Sequence, residues 1–299
     1  MIIMRLKGGL GNQLFQYALG RKLSLLTGYQ LKFDIYTSFE NCFYNRSYKL
    51  HHFNIHGDIA TVKDMRKYRR YTSRNLAWRI QRKLLSFLPF YEPYIITQND
   101  IGYSPFILKQ YKDAYFNGYW QTQKYFIDIE DKIKEELQVK HSLQGPNLNM
   151  ANKIKSSHAV CVHIRRLHGV SVTGNAREHD VKLFGTTSID YYDKAVAYIY
   201  KKFPDIKIFV FSDDPLWVIE NVKFPCPSVY VSHNDLDHEF EDLRLMSFCK
   251  HHIIANSTFS WWAAWLNRFP GKIVIAPKQW GNSPELDNQD LLPETWLRF

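Results

Sequence analysis

Residues 159–166 read AVCVHIRR, an apolar run that turns cationic at its carboxyl end. Successive side chains of a strand alternate, so Val160, Val162 and Ile164 share one face while His163 and Arg165 share the other. A strand buried in a parallel sheet reads apolar throughout. His163, Arg165 and Arg166 break that rule at the end where open α/β sheets bind ligands. An arginine pair there suits phosphate, because each guanidinium presents a fork of donors and keeps its charge. The plainer alternative is pairing with structural carboxylates.

Downstream of this strand the pattern alternates between helical and extended periods. Helix is expected from Ser188 to Phe203, strand from Ile206 to Phe211, a short helix from Pro215 and strand from Val229 to Ser232. Helix Glu239 to Lys250, strand His252 to Ala255, helix Phe259 to Leu266 and strand Lys272 to Ala276 follow. Such alternation predicts a parallel sheet covered on both faces. At the other end of the chain, Ile2 to Leu6 reads as a strand and Gly8, Gly9 and Gly11 as a turn. A helix beginning at Asn12 and stopping at Gly28 leads to a second strand, Leu31 to Phe33, ending at Asp34. This is a βαβ unit. Residues 141–152, HSLQGPNLNMAN, are polar with a Gly-Pro step and read as a linker. The expected domains are therefore 1–148 and 149–299, both α/β.

The 299 residues suit two domains by length. A composition of 45% hydrophobic and 16% aromatic residues supplies a core and excludes disordered, collagenous and disulfide-scaffold classes. No apolar run approaches a membrane span and no signal-peptide pattern opens the chain, so a cytoplasmic location is expected. Cys42, Cys161, Cys226 and Cys249 are scattered without a C-x-x-C pair and read as reduced thiols. The excess of 39 Lys and Arg over 29 Asp and Glu, formally +10, favours partners bearing phosphate or an anionic surface. Lys63 to Lys83 concentrates that charge around a single acid, Asp64, with interleaved apolar residues. This is a basic amphipathic helix with either a solvated face or contact with an anionic membrane. A nucleic-acid binder would share the charge, but the cluster matches no RNA or DNA motif and no nucleic acid is expected.

Other candidates sit at strand ends. Asp213 and Asp214 precede Pro215, which makes Asp214 a helix N-cap and leaves Asp213 to accept from a base or sugar. The basic surroundings and the lack of a third acid nearby argue against a divalent metal there. Asn256, Ser257 and Thr258 lead into a helix whose free backbone N–H groups attract anions. Trp261, Trp262 and Trp265 recur at helical spacing, as a core would require. The first glycine turn holds half a dinucleotide fingerprint: Gly9 and Gly11 are present, Leu14 replaces the third small residue, and Asp34 lies about twenty residues on. Asn12 and Gln13 instead offer polar side chains at a helix start. His51, His52, His56, His251 and His252 lack metal-ligand spacing and read as packed or solvated.

Taken together, GGLGNQLFQYA from Gly8, VHIRR from Val162, FSDD from Phe211, DLRLMSFC from Asp242 and ANSTFSWWAAWLN from Ala255 resemble the bacterial α-1,2-fucosyltransferases of glycosyltransferase family 11. The motifs span nearly the whole chain in the family's order. The resemblance implies a GT-B architecture of two Rossmann-like domains facing across a cleft. The C-terminal domain would hold GDP-fucose and the N-terminal domain the acceptor. Transfer to a galactose 2-hydroxyl would be inverting and metal-independent, in building an O-antigen-like glycan, free or lipid-linked, in the cytoplasm or at the inner face of the cytoplasmic membrane. His163 would seat the nucleotide, Arg165 would contact the β-phosphate and Arg166 would support it. Asp213 and Asp214 would lie near the nucleotide, and Asn256, Ser257, Thr258 and Ser260 would line the phosphate pocket. Gly9, Gly11, Asn12 and Gln13 would approach the donor sugar and acceptor. One departure stands out: the family's Gly-Asp-Tyr after the arginines is here Leu167-His168-Gly169. His168 takes the aspartate's place, so His168, Glu178, His179 and Asp180 are all eligible as the catalytic base, with His168 and Asp180 foremost. The same change admits another GDP-linked 6-deoxy sugar, such as colitose, as donor.

Overall fold

The computed structural model describes residues 1–39, 46–72, 94–98, 100–109, 113–166, 185–282 and 289–299. It divides into two compact units, Met1–Gln138 and Val139–Phe299. The division falls earlier than the expected 148/149, because most of the stretch read as a linker is helical and packs within the second unit.

Unit 1 is built from β1 (Ile2–Arg5), α1 (Leu10–Thr27), β2 (Leu31–Asp34), β3 (Asp58–Ile59), α2 (Val62–Thr72), β4 (Tyr94–Thr97), β5 (Ala114–Asn117) and α3 (Glu130–Glu136). Among the described residues its sheet has the order β3-β2-β1-β5-β4, and every pairing is parallel. The glycine turn and helix form where expected, with Gly28 closing α1 in the left-handed conformation at φ 70°. The close helix-to-strand approach that a dinucleotide fold assigns to its third glycine is supplied by Gly20. A Cβ there would stand 2.5 Å from Met4 Cγ and 2.8 Å from Leu31 Cδ1. The first part of the basic stretch is helical, as its pattern suggested, but its apolar side is already occupied. Met65 and Tyr68 are buried on α2 and pack with Ile3, Ala60 and Tyr115. They are thus unavailable to a membrane; residues 73–83 of that stretch lie outside the described residues.

Unit 2 contains α4 (Gly145–Lys155), β6 (His158–Ile164), α5 (Ile189–Lys202), β7 (Ile206–Ser212), α6 (Pro215–Asn221), β8 (Ser228–Val231), α7 (Glu239–Ser247), β9 (His251–Ile253), α8 (Thr258–Leu266), β10 (Val274–Ala276) and β11 (Leu297–Arg298). Its sheet has the order β11-β10-β9-β6-β7-β8, again parallel throughout. The predicted strands all form, within a residue or two of their expected ends. One core face gathers Val160, Val162 and Ile164 of β6 with Ile206, Ile208 and Val210 of β7 and Tyr192, Ala195 and Ile199 of α5. Trp261, Trp262 and Trp265 are buried and mutually packed, as a core reading requires. Cys161, Cys226 and Cys249 are free, buried thiols. Among the described residues no helix is long and apolar enough to cross a membrane.

Candidate active site

Both sheets start at an internal strand and extend outward in opposite directions. In unit 2 the order reverses between β6 and β9, whose neighbouring ends lead to Arg165 on one side and to Asn256 on the other. A crevice forms at such a switch point because the two connections leave toward opposite faces of the sheet, and ligands bind there.

The β6 end is held from three directions. His163 is buried, and its ring centroid lies 5.8 Å from that of Phe259, which brings α8 beside the end of β6. The Tyr192 hydroxyl donates to the His163 carbonyl at 3.1 Å. Burial, helped by the adjacent Arg165 guanidinium, lowers the His163 pKa to about 3, so the imidazole is neutral. Its Nδ1 has no hydrogen-bond partner among the described residues. Beyond it, Arg165 Nε lies 3.5 Å from Asp213 Oδ2. Asp213 Oδ1 accepts the Arg166 backbone N–H at 2.7 Å, so the carboxylate from the β7 end pins the chain as it leaves β6. The Arg166 side chain turns away from Arg165 and stacks on Trp217 of α6, with Cζ 3.7 Å from the ring centroid. Asp214 takes the capping role its Asp-Pro context foretold, accepting the Trp217 N–H at 3.2 Å. The two acids are therefore separated in function: Asp214 sets the first turn of α6, and Asp213 organises the arginines.

Across the switch point Ser257 is the N-cap of α8, and its side chain makes no capping bond. The N-terminal turn of this nine-residue helix thus presents its partial positive charge toward the crevice. Ser260 is buried and its hydroxyl donates to the Ser257 carbonyl at 3.2 Å, which tightens that turn. Asn256 Oδ1 accepts from the Thr187 hydroxyl at 3.3 Å, and its amide donates to the Trp280 carbonyl at 3.2 Å. Thr187 and Trp280 are absent from the sequence-derived set. No local pattern marks them, since only the fold brings them to Asn256.

The N-terminal candidates fare differently. Gly9 caps α1 without a side chain, and Asn12 Oδ1 accepts from Gln121 Nε2 at 2.8 Å. Gly11 is buried in the first turn of α1. Gln13, expected to reach a ligand, is fully buried. Its amide nitrogen donates to the Gly8 and Ser47 carbonyls and its oxygen accepts the Lys49 N–H, so its hydrogen-bonding capacity is spent on fastening the 47–49 loop to the glycine turn. Asp34 is likewise occupied by the N–H groups of Tyr36 and Thr37 and the hydroxyls of Thr37 and Tyr115, which leaves nothing for a ribose and closes the dinucleotide reading. His168, Glu178, His179 and Asp180 lie outside the described residues.

The sequence pattern of glycosyl transferase family 11 matches residues 94–298. The chain belongs to glycosyltransferase family 11. An α-1,2-colitosyltransferase of Escherichia coli is 32% identical over 303 residues, covering 100% of this chain and 99% of that protein. The O-antigen biosynthesis glycosyltransferase WbnK, also of Escherichia coli, is 32% identical and covers 98% of this chain and 99% of its own length. Among solved structures, the fucosyltransferase NodZ from Bradyrhizobium has a TM-score of 0.50 at 15% identity, covering 88% of this chain and 91% of its own. A variant of Arabidopsis thaliana FUT1 in complex with GDP has a TM-score of 0.51 at 9% identity, covering 98% of this chain and 74% of its own. The fold of this family 11 glycosyltransferase is accordingly of the GT-B class, with two parallel α/β units, as the sequence motifs implied.

Proposed function

We propose that this glycosyltransferase moves a 6-deoxy sugar, L-fucose or its 3-deoxy counterpart colitose, from a GDP-sugar to the 2-hydroxyl of a galactose-type residue in an O-antigen glycan. The observation that carries the reading is that β6, which leads to Arg165, and the α8 N-terminus, whose cap makes no side-chain bond, lie side by side at the unit 2 switch point, with His163 beside Phe259. Departure of GDP from the sugar leaves negative charge on the β-phosphate. A guanidinium and a helix N-terminus fixed in advance stabilise that charge without reorganising. This is a metal-independent arrangement, with Arg165 acting on the leaving group. Asp213 holds Arg165 in place, and Arg166, drawn aside by Trp217, supports the loop. Neutral His163 presents Nδ1 to the nucleotide. The acceptor oxygen attacks from the face opposite GDP, so a β-linked donor gives an α-linked product.

Two relatives support the acceptor chemistry by name: one is an α-1,2-colitosyltransferase and the other an O-antigen glycosyltransferase. The colitosyltransferase favours GDP-colitose as the alternative donor, in keeping with Leu167-His168-Gly169 at the family's Gly-Asp-Tyr. Incubation with a β-galactoside and GDP-fucose, GDP-colitose or GDP-mannose, with NMR of the product, tests the reading. An α-1,2 linkage from one of the first two donors, formed in EDTA, is expected. Transfer from GDP-mannose alone, or no transfer from any donor, overturns it.

A further inference from the structure

Unit 1 has its own switch point, between β1 and β5, and a second polar cluster gathers there. β1 runs on to Lys7, and β5 ends at Asn117 and leads to Tyr119. The Lys7 ammonium lies 3.4 Å from Asn117 Oδ1 and 4.3 Å from the centroid of the Tyr119 ring. Among the described residues no carboxylate pairs with it. Burial, with the neighbouring Arg5 charge, brings its pKa down from 10.5 to about 8. A half-buried cation without a counter-charge is costly until an anion arrives. Arg5 cannot take that role, because its guanidinium is engaged by the Ser38 hydroxyl, the Thr37 carbonyl and Asn117 Oδ1.

The turn after β5 is shaped to keep Tyr119 beside this cation. Gly118 admits no side chain: a Cβ would stand 2.6 Å from Gln98 Cβ and 2.7 Å from the Trp120 ring. Trp120 has φ 55°, a conformation disfavoured for a bulky residue, and Gln98 Oε1 holds it by accepting the N–H groups of Tyr119 and Trp120 at 2.8 and 3.0 Å. Tyr119 remains 40% exposed. A partly exposed aromatic ring, an amide and an ammonium with no carboxylate partner among the described residues, gathered at a switch point, make a site for a saccharide that carries negative charge.

We infer that the cluster of Lys7, Asn117 and Tyr119 binds an acceptor saccharide bearing an anionic group, a carboxylate or a phosphate ester, and that Lys7 selects for it. The word acceptor rests on the transfer reading above; the anion selectivity does not. The test titrates the full-length chain, in saturating GDP to fill any donor phosphate site, with galactose, galacturonate and galactose 1-phosphate, followed by ligand-observed NMR. At least one anionic sugar is expected to bind about tenfold more tightly than galactose, the scale of one charge-assisted hydrogen bond. Preference for galacturonate identifies a carboxylate and preference for galactose 1-phosphate a phosphate. Lys7→Met is expected to bring the preferred sugar to the level of galactose, and Lys7→Arg to retain most of the preference. Equal or absent binding of the three sugars, or a preference that survives Lys7→Met, overturns the inference. GDP titration of each variant reports its folding. Failure of GDP to bind the wild-type chain would count against the donor reading while leaving the sugar preference measurable.

Discussion

Replacing Arg165 with alanine separates a phosphate ligand from a structural cation. Among the described residues Arg165 makes one ion pair, 3.5 Å to Asp213, between side chains 23% and 12% exposed. Such a long, partly buried pair contributes about 1–2 kcal/mol. Asp213 also remains anchored through the Arg166 N–H at 2.7 Å. The melting temperature of Arg165→Ala should therefore fall by about 2–8 °C. Its effect on the nucleotide is larger. Loss of a hydrogen bond to a charged group costs about 1.5–3 kcal/mol, or about 10- to 150-fold in GDP affinity. Turnover should fall further, by about 10²–10³, because charge on the leaving phosphate is greatest in the transition state. Arg165→Lys keeps the charge but loses the fork and should lie between. Isothermal titration with GDP, steady-state transfer and a melting curve on the same preparations decide the matter. Unchanged GDP affinity, or a melting temperature that collapses in step with activity, would show that the guanidinium serves the fold.

Other consequences follow from buried groups. His163, His251 and His252 are all buried with pKa values lowered to about 3, 4 and 3, chiefly by burial, so the unfolded chain binds more protons below pH 6.5. Their contribution is complete above pH 6.5 and is lost as pH falls toward 4. Between pH 6.5 and 5.5 each removes about 1 kcal/mol, about 3 in all, while Asp242, whose carboxyl burial pushes up to about 7, returns about 1. Urea titrations should show a net loss of about 2 kcal/mol over that unit, and a flat profile would contradict neutral burial. Gly20→Val should destabilise by about 1–3 kcal/mol through overpacking against Met4 and Leu31, in chemical denaturation with GDP absent; a neutral result would mean that α1 shifts freely on its sheet.

The second half was legible because each strand from β6 to β9 is followed by a helix whose period differs from its own, and because Asp-Pro marks the start of α6. Residues 50–137 were not, for two reasons. β3 has only two residues, and β4 and β5 are each followed by a short 3-10 turn instead of a helix whose period would set the strand off. β5 also pairs with β1, more than a hundred residues earlier, a contact that no local pattern announces. The site divided along similar lines. Arg165, Asp213 and the α8 start were visible because polar residues interrupt apolar strands at their carboxyl ends. Gln13 misled, because an amide at a helix start looks the same whether it faces a ligand or reaches Ser47, thirty-four residues on. Lys7 escaped notice because its isolation from carboxylates is a property of the folded unit.

The most direct test is isothermal titration of the full-length chain with GDP, GDP-fucose and GDP-colitose in EDTA. The account predicts that GDP binds without metal and that one of the two GDP-sugars binds as well, each weakened at least about tenfold by Arg165→Ala. Absence of binding, or binding that appears only when a divalent cation is added, would contradict a leaving group held by Arg165 and the α8 N-terminus.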